Sequence, residues 1–265
     1  MMNIILPIAL IIGGLLCIFY IRPKIQNKVM EMKYMQTKSV AELRQMFDNM
    51  DSMVLGDEYR EYVEIKGNVC SQAPVMTPYS ERKVAYCESG MTQVTEVKEQ
   101  YRDNEGCLKT RVTKRETLIS NEKTSQVIRM KDSTDAGEIV LEIQASGCEL
   151  DIPKTFDRFE PKNNLRRYGC FSTCPSECFG VGTLGFKMME KTIELDQKLY
   201  VIGEAFLSDG EIHIGKPKDP KKPFIVSTRS EEELISSSDR NALLSLAGGI
   251  AAAVIGAALI FYLNI

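Results

Sequence analysis

The sequence has no tryptophan, one histidine and no charged side chain near either end. With His213 as its only imidazole, it lacks the usual acid–base group for chemistry near neutral pH. That weighs against a histidine-dependent hydrolase and leaves carboxylate and thiol chemistry open. There is no excess of positive charge: 33 Lys and Arg stand against 36 Asp and Glu, with a pI near 5.5. A nucleic-acid binder needs a basic face to neutralise phosphates, so no nucleic-acid partner is expected. There is also no G-x-S-x-G elbow, Walker-type loop or H-E-x-x-H pair, and no internal repeat.

Residues 3–21 (NIILPIALIIGGLLCIFYI) and 241–265 (NALLSLAGGIAAAVIGAALIFYLNI) contain no charge. Each is long enough to cross a hydrocarbon core of about 30 Å as a helix. The sequence therefore reads as an integral, multi-pass membrane protein with transmembrane helices at 3–21 and 242–263. No Lys or Arg precedes the first run, and it ends in Phe19, Tyr20, Ile21, Arg22, Pro23, a poor cleavage context. An uncleaved anchor is expected. Arg22, Lys24, Lys28, Lys33 and Lys38 follow the first run, and Arg229 and Arg240 precede the second. The positive-inside rule then puts the middle domain in the cytoplasm.

The second run carries small residues at a spacing of four, Gly248, Ala252 and Gly256, with Ser245 and Gly249 as a second pair. Such a face suits close helix packing, either against the first run, where Gly13 and Gly14 are the counterpart, or against a second copy of the chain.

Between the runs, 22–55 reads as a basic linker, suited to acidic headgroups, followed by a short amphipathic helix. Ser39 with Glu42 is a capping box. Val40, Leu43, Met46 and Phe47 then form a stripe suited to covering a sheet. From Tyr62 the period becomes two: Val63 and Ile65 face one way, Glu64 and Lys66 the other, with a turn expected at Gly67–Asn68. Strands are expected at 83–88, 92–100, 109–118, 125–130 and 139–143. Others follow at 191–195, 198–206, 211–214 and 224–227, with a turn at Asp209–Gly210. Residues 153–187 are the least regular part, broken by Pro153, Pro161, Asn163, Asn164 and several glycines. The fold class expected is a membrane protein with two transmembrane helices and a mainly antiparallel, β-rich α+β domain at 56–234.

Few residues point to chemistry. Cys170, Cys174 and Cys178 form C-x3-C-x3-C, whose thiolates could meet a metal only with a fourth ligand such as Cys148 or Cys107. Free or packed thiols are favoured over disulfides or metal, because a cytoplasmic domain keeps cysteines reduced. No cofactor and no catalytic residue is assigned. Cys17 reads as a small filler within the apolar run. His213, between Ile212 and Ile214, reads as a solvent-facing strand residue. Gly180, Gly182 and Gly185 read as turn glycines. Glu231, Glu232 and Glu233 read as a solvated face before the second run rather than the first turn of a helix capped by Ser227 or Ser230. Lys216, Lys218, Lys221 and Lys222 interleave with prolines and read as a solvated turn. That turn would touch anionic lipid, as would Arg22, Lys24 and Lys28, if it faced a bilayer.

Residues 198–207 (KLYVIGEAFL), the hairpin through Ile214, Lys216–Pro217, 223–227 (PFIVS) and Glu231–Leu234 resemble the GIDE, or beside-a-membrane, domain family. Residues 62–69 (YVEIKGNV), 78–87 (PYSERKVAYC) and 137–151 (GEIVLEIQASGCELD) resemble it more thinly, in the same order. That domain lies between two spans of a mitochondrial E3 ubiquitin ligase. The resemblance implies a β-rich domain beside a membrane, and in that relative it lies in the intermembrane space, against the charge flanks here. The ligase's activity resides in a zinc-binding RING beyond its second span. This sequence offers no Cys/His array of that kind, so ubiquitin ligase-like accessory function is all the resemblance implies. The expectation is a non-catalytic, membrane-anchored interaction or scaffold protein whose partners are membrane lipids and an unidentified protein. Its binding surface is expected on 153–187. Cysteine-dependent redox or metal chemistry is the alternative.

Overall fold

A computed structural model describes residues 2–51, 59–70, 73–103, 106–124, 127–134, 136–143, 147–163 and 182–262. The first apolar run does not end in a linker. Helix α1 (Met2–Leu16) passes through a π-helical turn (Cys17–Ile21) into α2 (Arg22–Tyr34). Pro23 accounts for the turn: it has no N–H, and its ring would collide with the carbonyl four residues back. Wider turns absorb this, and the Arg22 N–H donates to the Cys17 carbonyl, five residues back. The expected linker at 22–38 is thus helical to Tyr34. It buries only Val29 and Met32, while its other apolar side chains are spread among charged and polar ones.

The capping box forms as expected. Glu42 accepts from the Ser39 N–H at 2.7 Å, and the Glu42 N–H donates to the Ser39 hydroxyl at 3.2 Å. Helix α3 (Val40–Asp51) follows and buries Val40, Leu43 and Phe47 in the main core.

The strands are β1 (Arg60–Cys70), β2 (Val75–Met76), β3 (Lys83–Val84), β4 (Tyr86–Arg102), β5 (Leu108–Lys123), β6 (Ile128–Lys131) and β7 (Ile139–Leu141). Then come β8 (Cys148–Asp151), β9 (Lys154–Pro161), β10 (Thr183–Ile193), β11 (Lys198–Ser208), β12 (Glu211–Gly215) and β13 (Phe224–Ser227). Strand β1 pairs with both β6 and β11, and β6–β7–β12–β11 complete the ring. The result is a closed five-stranded barrel with the strand order of an OB-type fold. Strands β13 and β8 continue outward from β11. The pairs β7·β12 and β8·β13 are parallel, an exception to the expected antiparallel pairing.

The barrel interior follows the period-two reading. Val63, Ile65 and Val69 of β1 meet Ile128, Met130, Ile139, Leu141, Val201, Ile212 and Ile214. Gly67–Asn68 is not a turn, since β1 runs straight through to Cys70. A side chain at Gly67 would strike the Lys131 backbone, so the glycine lets β1 approach β6.

A second sheet, ordered β5-β4-β10-β9, is antiparallel throughout. It claims two parts of the segment expected to be irregular, 154–161 and 183–187. Gly182 has φ +92 at the entry to β10, in keeping with a turn, while Gly185 lies within the strand. Gly180 lies outside the described residues.

Candidate functional site

Helix α4 (Glu231–Tyr262) and the segment Ile5–Tyr34 are both long and apolar enough to cross a membrane, by length and composition. They pack along a seam of small residues. A Cβ at Gly14 would stand 2.5 Å from the Gly249 carbonyl oxygen, and one at Gly256 would stand 2.7 Å from that of Pro7. Ser245 donates to the Cys17 carbonyl at 3.2 Å, serving the π-helical turn. The buried series on α4 is Ala242, Gly249 and Gly256, every seventh residue. Of the expected residues, Gly256, Gly249 and Ser245 meet the first helix, while Gly248 has nothing within 4 Å of its missing Cβ and Ala252 is only partly covered. Gly13 likewise faces open space, while its neighbour Gly14 makes the contact.

Above the seam, both helices dock on the barrel. Val29 and Met32 of α2 and Leu234 of α4 pack with Tyr200, Ile202 and Ile225. Glu64 of β1 is 1% exposed and accepts from Thr37 at 2.5 Å and from Tyr200 at 2.9 Å. Lys66 bridges Glu64 at 3.2 Å and Glu231 at 2.6 Å. Burial and the Glu64 hydrogen bond push the Tyr200 phenol far above its usual value. Lys33 pairs with Asp239 at 3.3 Å, joining α2 to α4 directly. The acidic run at 231–233 is therefore the first turn of α4, where carboxylates suit the helix dipole. Ser230 caps it by accepting from the Glu233 N–H at 3.3 Å.

Beside α2, the 220–223 turn closes one side of a groove of about 1020 Å³. Phe19, Tyr20 and Pro23 line it near the apolar run, Met30, Tyr34 and Met35 line it further along α2, and Lys24, Lys28, Lys221 and Lys222 line it between together with Glu31 and Glu149. Lys28 pairs with Glu149. Lys222 lies 4.7 Å from the centre of the Tyr62 ring, whose hydroxyl donates to the Pro223 carbonyl at 3.1 Å. The structure thus divides the basic residues named from sequence. Lys216 lies against Gly147 and the Lys218 N–H donates to Glu204, while neither they nor Arg22 line the groove.

The second sheet carries an arm. Among the described residues, β10 pairs with β4 as far as Thr95, the Glu96 N–H donates to the Gly182 carbonyl at 2.8 Å, and beyond that β4 and β5 pair with each other alone, to Arg102 and Leu108. Leu108, Val112 and Leu118 share one face of β5, an edge strand, and are 65%, 54% and 63% exposed.

Cys87 is buried and Cys148 half-buried, and the loss of water around each thiol pushes both up to about 12. At pH 8 each carries roughly a thousandfold less thiolate than an unperturbed cysteine. A thiol reagent at pH 8 is accordingly expected to modify exposed Cys107 in seconds to minutes and to spare Cys87 and Cys148 until the fold is denatured. Fast reaction of all three in the native chain would contradict this. Cys170, Cys174 and Cys178 lie outside the described residues. Among the described residues, no three His, Cys, Asp or Glu side chains stand where they could hold a metal ion.

His213 does lie on the barrel's outer face, but it is not simply solvated. Its ring stacks on Phe206 at 5.6 Å, and its Nδ1 lies 2.7 Å from Glu142. Sequence spacing gave no hint of Glu142, which is 71 residues away.

Comparison with known families gives one match. The GIDE family, described as an E3 ubiquitin ligase, matches residues 96–261, from β4 through α4. No curated protein and no solved structure matches the chain. The stretches at 198–207, 223–227 and 231–234 that suggested this family from sequence all fall inside the matched span. With well over half of its 265 residues matched, the chain belongs to the GIDE family.

Proposed function

We propose that this chain is a non-catalytic, membrane-anchored interaction protein that holds its β-rich domain against the bilayer and offers the β4–β5 arm to a protein partner. The membrane part rests on the level of the two charge-free runs. Gly14 faces Gly249 and Pro7 faces Gly256, so residues whose numbers sum to 263 share a level (14 + 249 and 7 + 256). Ile21, the last residue of one run, is then level with Ala242, the second residue of the other. From that level the pair extends about 28 Å over 19 residues, the depth of a hydrocarbon core. Phe19 and Tyr20 stand exposed at one limit, and Phe261 and Tyr262 at the other, as interfacial aromatic belts do. The basic residues Arg22, Lys24, Lys28, Arg229 and Arg240 flank the near limit, which favours a cytoplasmic domain.

The observation that carries the interaction role is the arm. A two-stranded ribbon is marginal on its own in water, and this one carries Leu108 and Val112 about 14 Å apart on one face of an edge strand, at roughly 3.4 Å per residue, with Leu118 further along that face where β4 already pairs with β10. The ribbon presents unpaired backbone and apolar side chains together, a surface suited to β-strand addition. The test replaces Leu108 and Val112 with serine. Stability is expected to change by no more than about 0.5 kcal/mol, as for exposed sites. Proteins cross-linked to the wild-type arm in intact cells are expected to be lost. Unchanged cross-linking would refute the arm. The non-catalytic part is tested by supplying the full chain with ubiquitin, activating enzyme and conjugating enzymes. No chain-dependent transfer is expected, and transfer would overturn that part.

A further inference from the structure

We infer that the groove between α2 and the 220–223 turn is a binding site for one anionic phospholipid drawn from the surrounding bilayer. The inference rests on the membrane reading above and goes beyond it. The groove begins at Phe19 and Tyr20, level with the start of the charge-free runs, and climbs about 12 Å to Lys28 at 1.5 Å per residue. Its lower end is therefore apolar, and its middle is basic. That is the order in which a phospholipid presents its acyl chain and its phosphate.

The charge balance selects the headgroup. Lys24, Lys28, Lys221 and Lys222 outnumber Glu31 and Glu149 by two. Lys28 is already paired with Glu149, and Lys222 lies over the Tyr62 ring. Among the described residues, Lys24 and Lys221 have no ion-pair partner, although they lie on elements almost 200 residues apart in sequence and line one groove. A phosphate between them would be met from both walls. A zwitterionic lipid sets its ammonium group against the two surplus charges, and a free anion gains nothing from the aromatic end. A phospholipid with net negative charge uses both.

The test uses the full chain, purified in mild detergent and stripped of lipid. Native mass spectrometry is run with phosphatidylglycerol and with phosphatidylcholine. One phosphatidylglycerol per chain is expected, at least tenfold preferred over phosphatidylcholine. Lysines near anionic lipid each strengthen binding roughly fivefold. The variant K24Q/K221Q/K222Q is therefore expected to bind on the order of 100-fold more weakly, and K216Q/K218Q to bind as the wild type does. Equal weakening by both variants would overturn the groove as the site, because only general surface charge would then matter. Complete displacement by millimolar inorganic phosphate would also overturn it, in favour of a soluble anion. Flotation with phosphatidylcholine vesicles separates the two readings. A chain that floats without preferring the anionic lipid refutes the groove alone, and a chain that fails to float refutes the membrane reading.

Discussion

Replacing Gly249 with isoleucine is expected to pry the two apolar helices apart, whereas the same change at Gly248 leaves them paired. A Cβ at 249 would stand 2.8 Å from both the Gly14 carbonyl oxygen and Ile18 Cγ1, and a backbone oxygen cannot swing aside. At 248 there is nothing within 4 Å. Overpacking costs about 1–3 kcal/mol, and a backbone obstacle puts Gly249→Ile at the upper end. For a chain of this size that lowers the thermal midpoint by roughly 6–12 °C. The same contrast is expected between Gly14→Ile, which is disruptive, and Gly13→Ile, which is tolerated. Thermal unfolding of the four variants in one detergent reads the result. Equal loss at neighbouring positions, or greater loss at Gly248 than at Gly249, would mean that the helices meet along another face.

The second large effect is expected at Glu64. This carboxylate is almost fully buried where β1, β11 and the two helices converge. Glu64→Ala removes the acceptor for the Tyr200 and Thr37 hydroxyls and leaves Lys66 with Glu231 and the Thr37 hydroxyl. Lys66 is 38% exposed and keeps Glu231, so no buried charge is stranded; the cost comes from the two hydroxyls left without their acceptor and is about 2–3 kcal/mol. Glu64→Gln keeps the shape and an acceptor oxygen and loses the charge, so a cost of about 1–2 kcal/mol is expected. Denaturant unfolding measures the totals. Amide exchange is expected to show faster opening in α2 and the first turns of α4 in Glu64→Ala, because those segments lose their anchor to the barrel. A cost under 1 kcal/mol, or opening confined to β1, would show that the helices are held by the apolar contacts of Val29, Met32 and Leu234 instead.

Much of this architecture is legible in sequence where one local rule acts alone. The charge-free runs, the Ser39–Glu42 box and the alternation of Val63 and Ile65 each depend on neighbours a few residues away. Misreadings arise where the deciding contact is distant. Gly248, Ala252 and Gly256 satisfy the spacing of four as well as any set, yet the register with Pro7 and Gly14 selects Ala242, Gly249 and Gly256. Helix α2 buries only two apolar side chains, so its polar composition reads as linker. Strand β9 is a half-exposed edge that runs up to Pro161, which hides its period.

Barrel closure has no local mark at all, since it depends on β1 pairing β11 for most of its length and β6 at its end. The basic residues were visible as two clusters. Nothing short of the fold could bring Lys24 and Lys28 beside Lys221 and Lys222 and turn Lys216 and Lys218 away. The Glu142–His213 contact escaped notice for the same reason, because parallel pairing of β7 with β12 delivers it.

Anchoring by both helices with the domain in the cytoplasm is tested most directly with Cys107 as the sole cysteine, since it is exposed at the end of the arm. Cells are treated with a membrane-impermeant maleimide before and after permeabilisation, and membranes are then washed with alkaline carbonate. The chain is expected to stay in the membrane pellet, with Cys107 labelled only after permeabilisation. Release into the wash would contradict anchoring, and labelling of intact cells would put the domain on the opposite side.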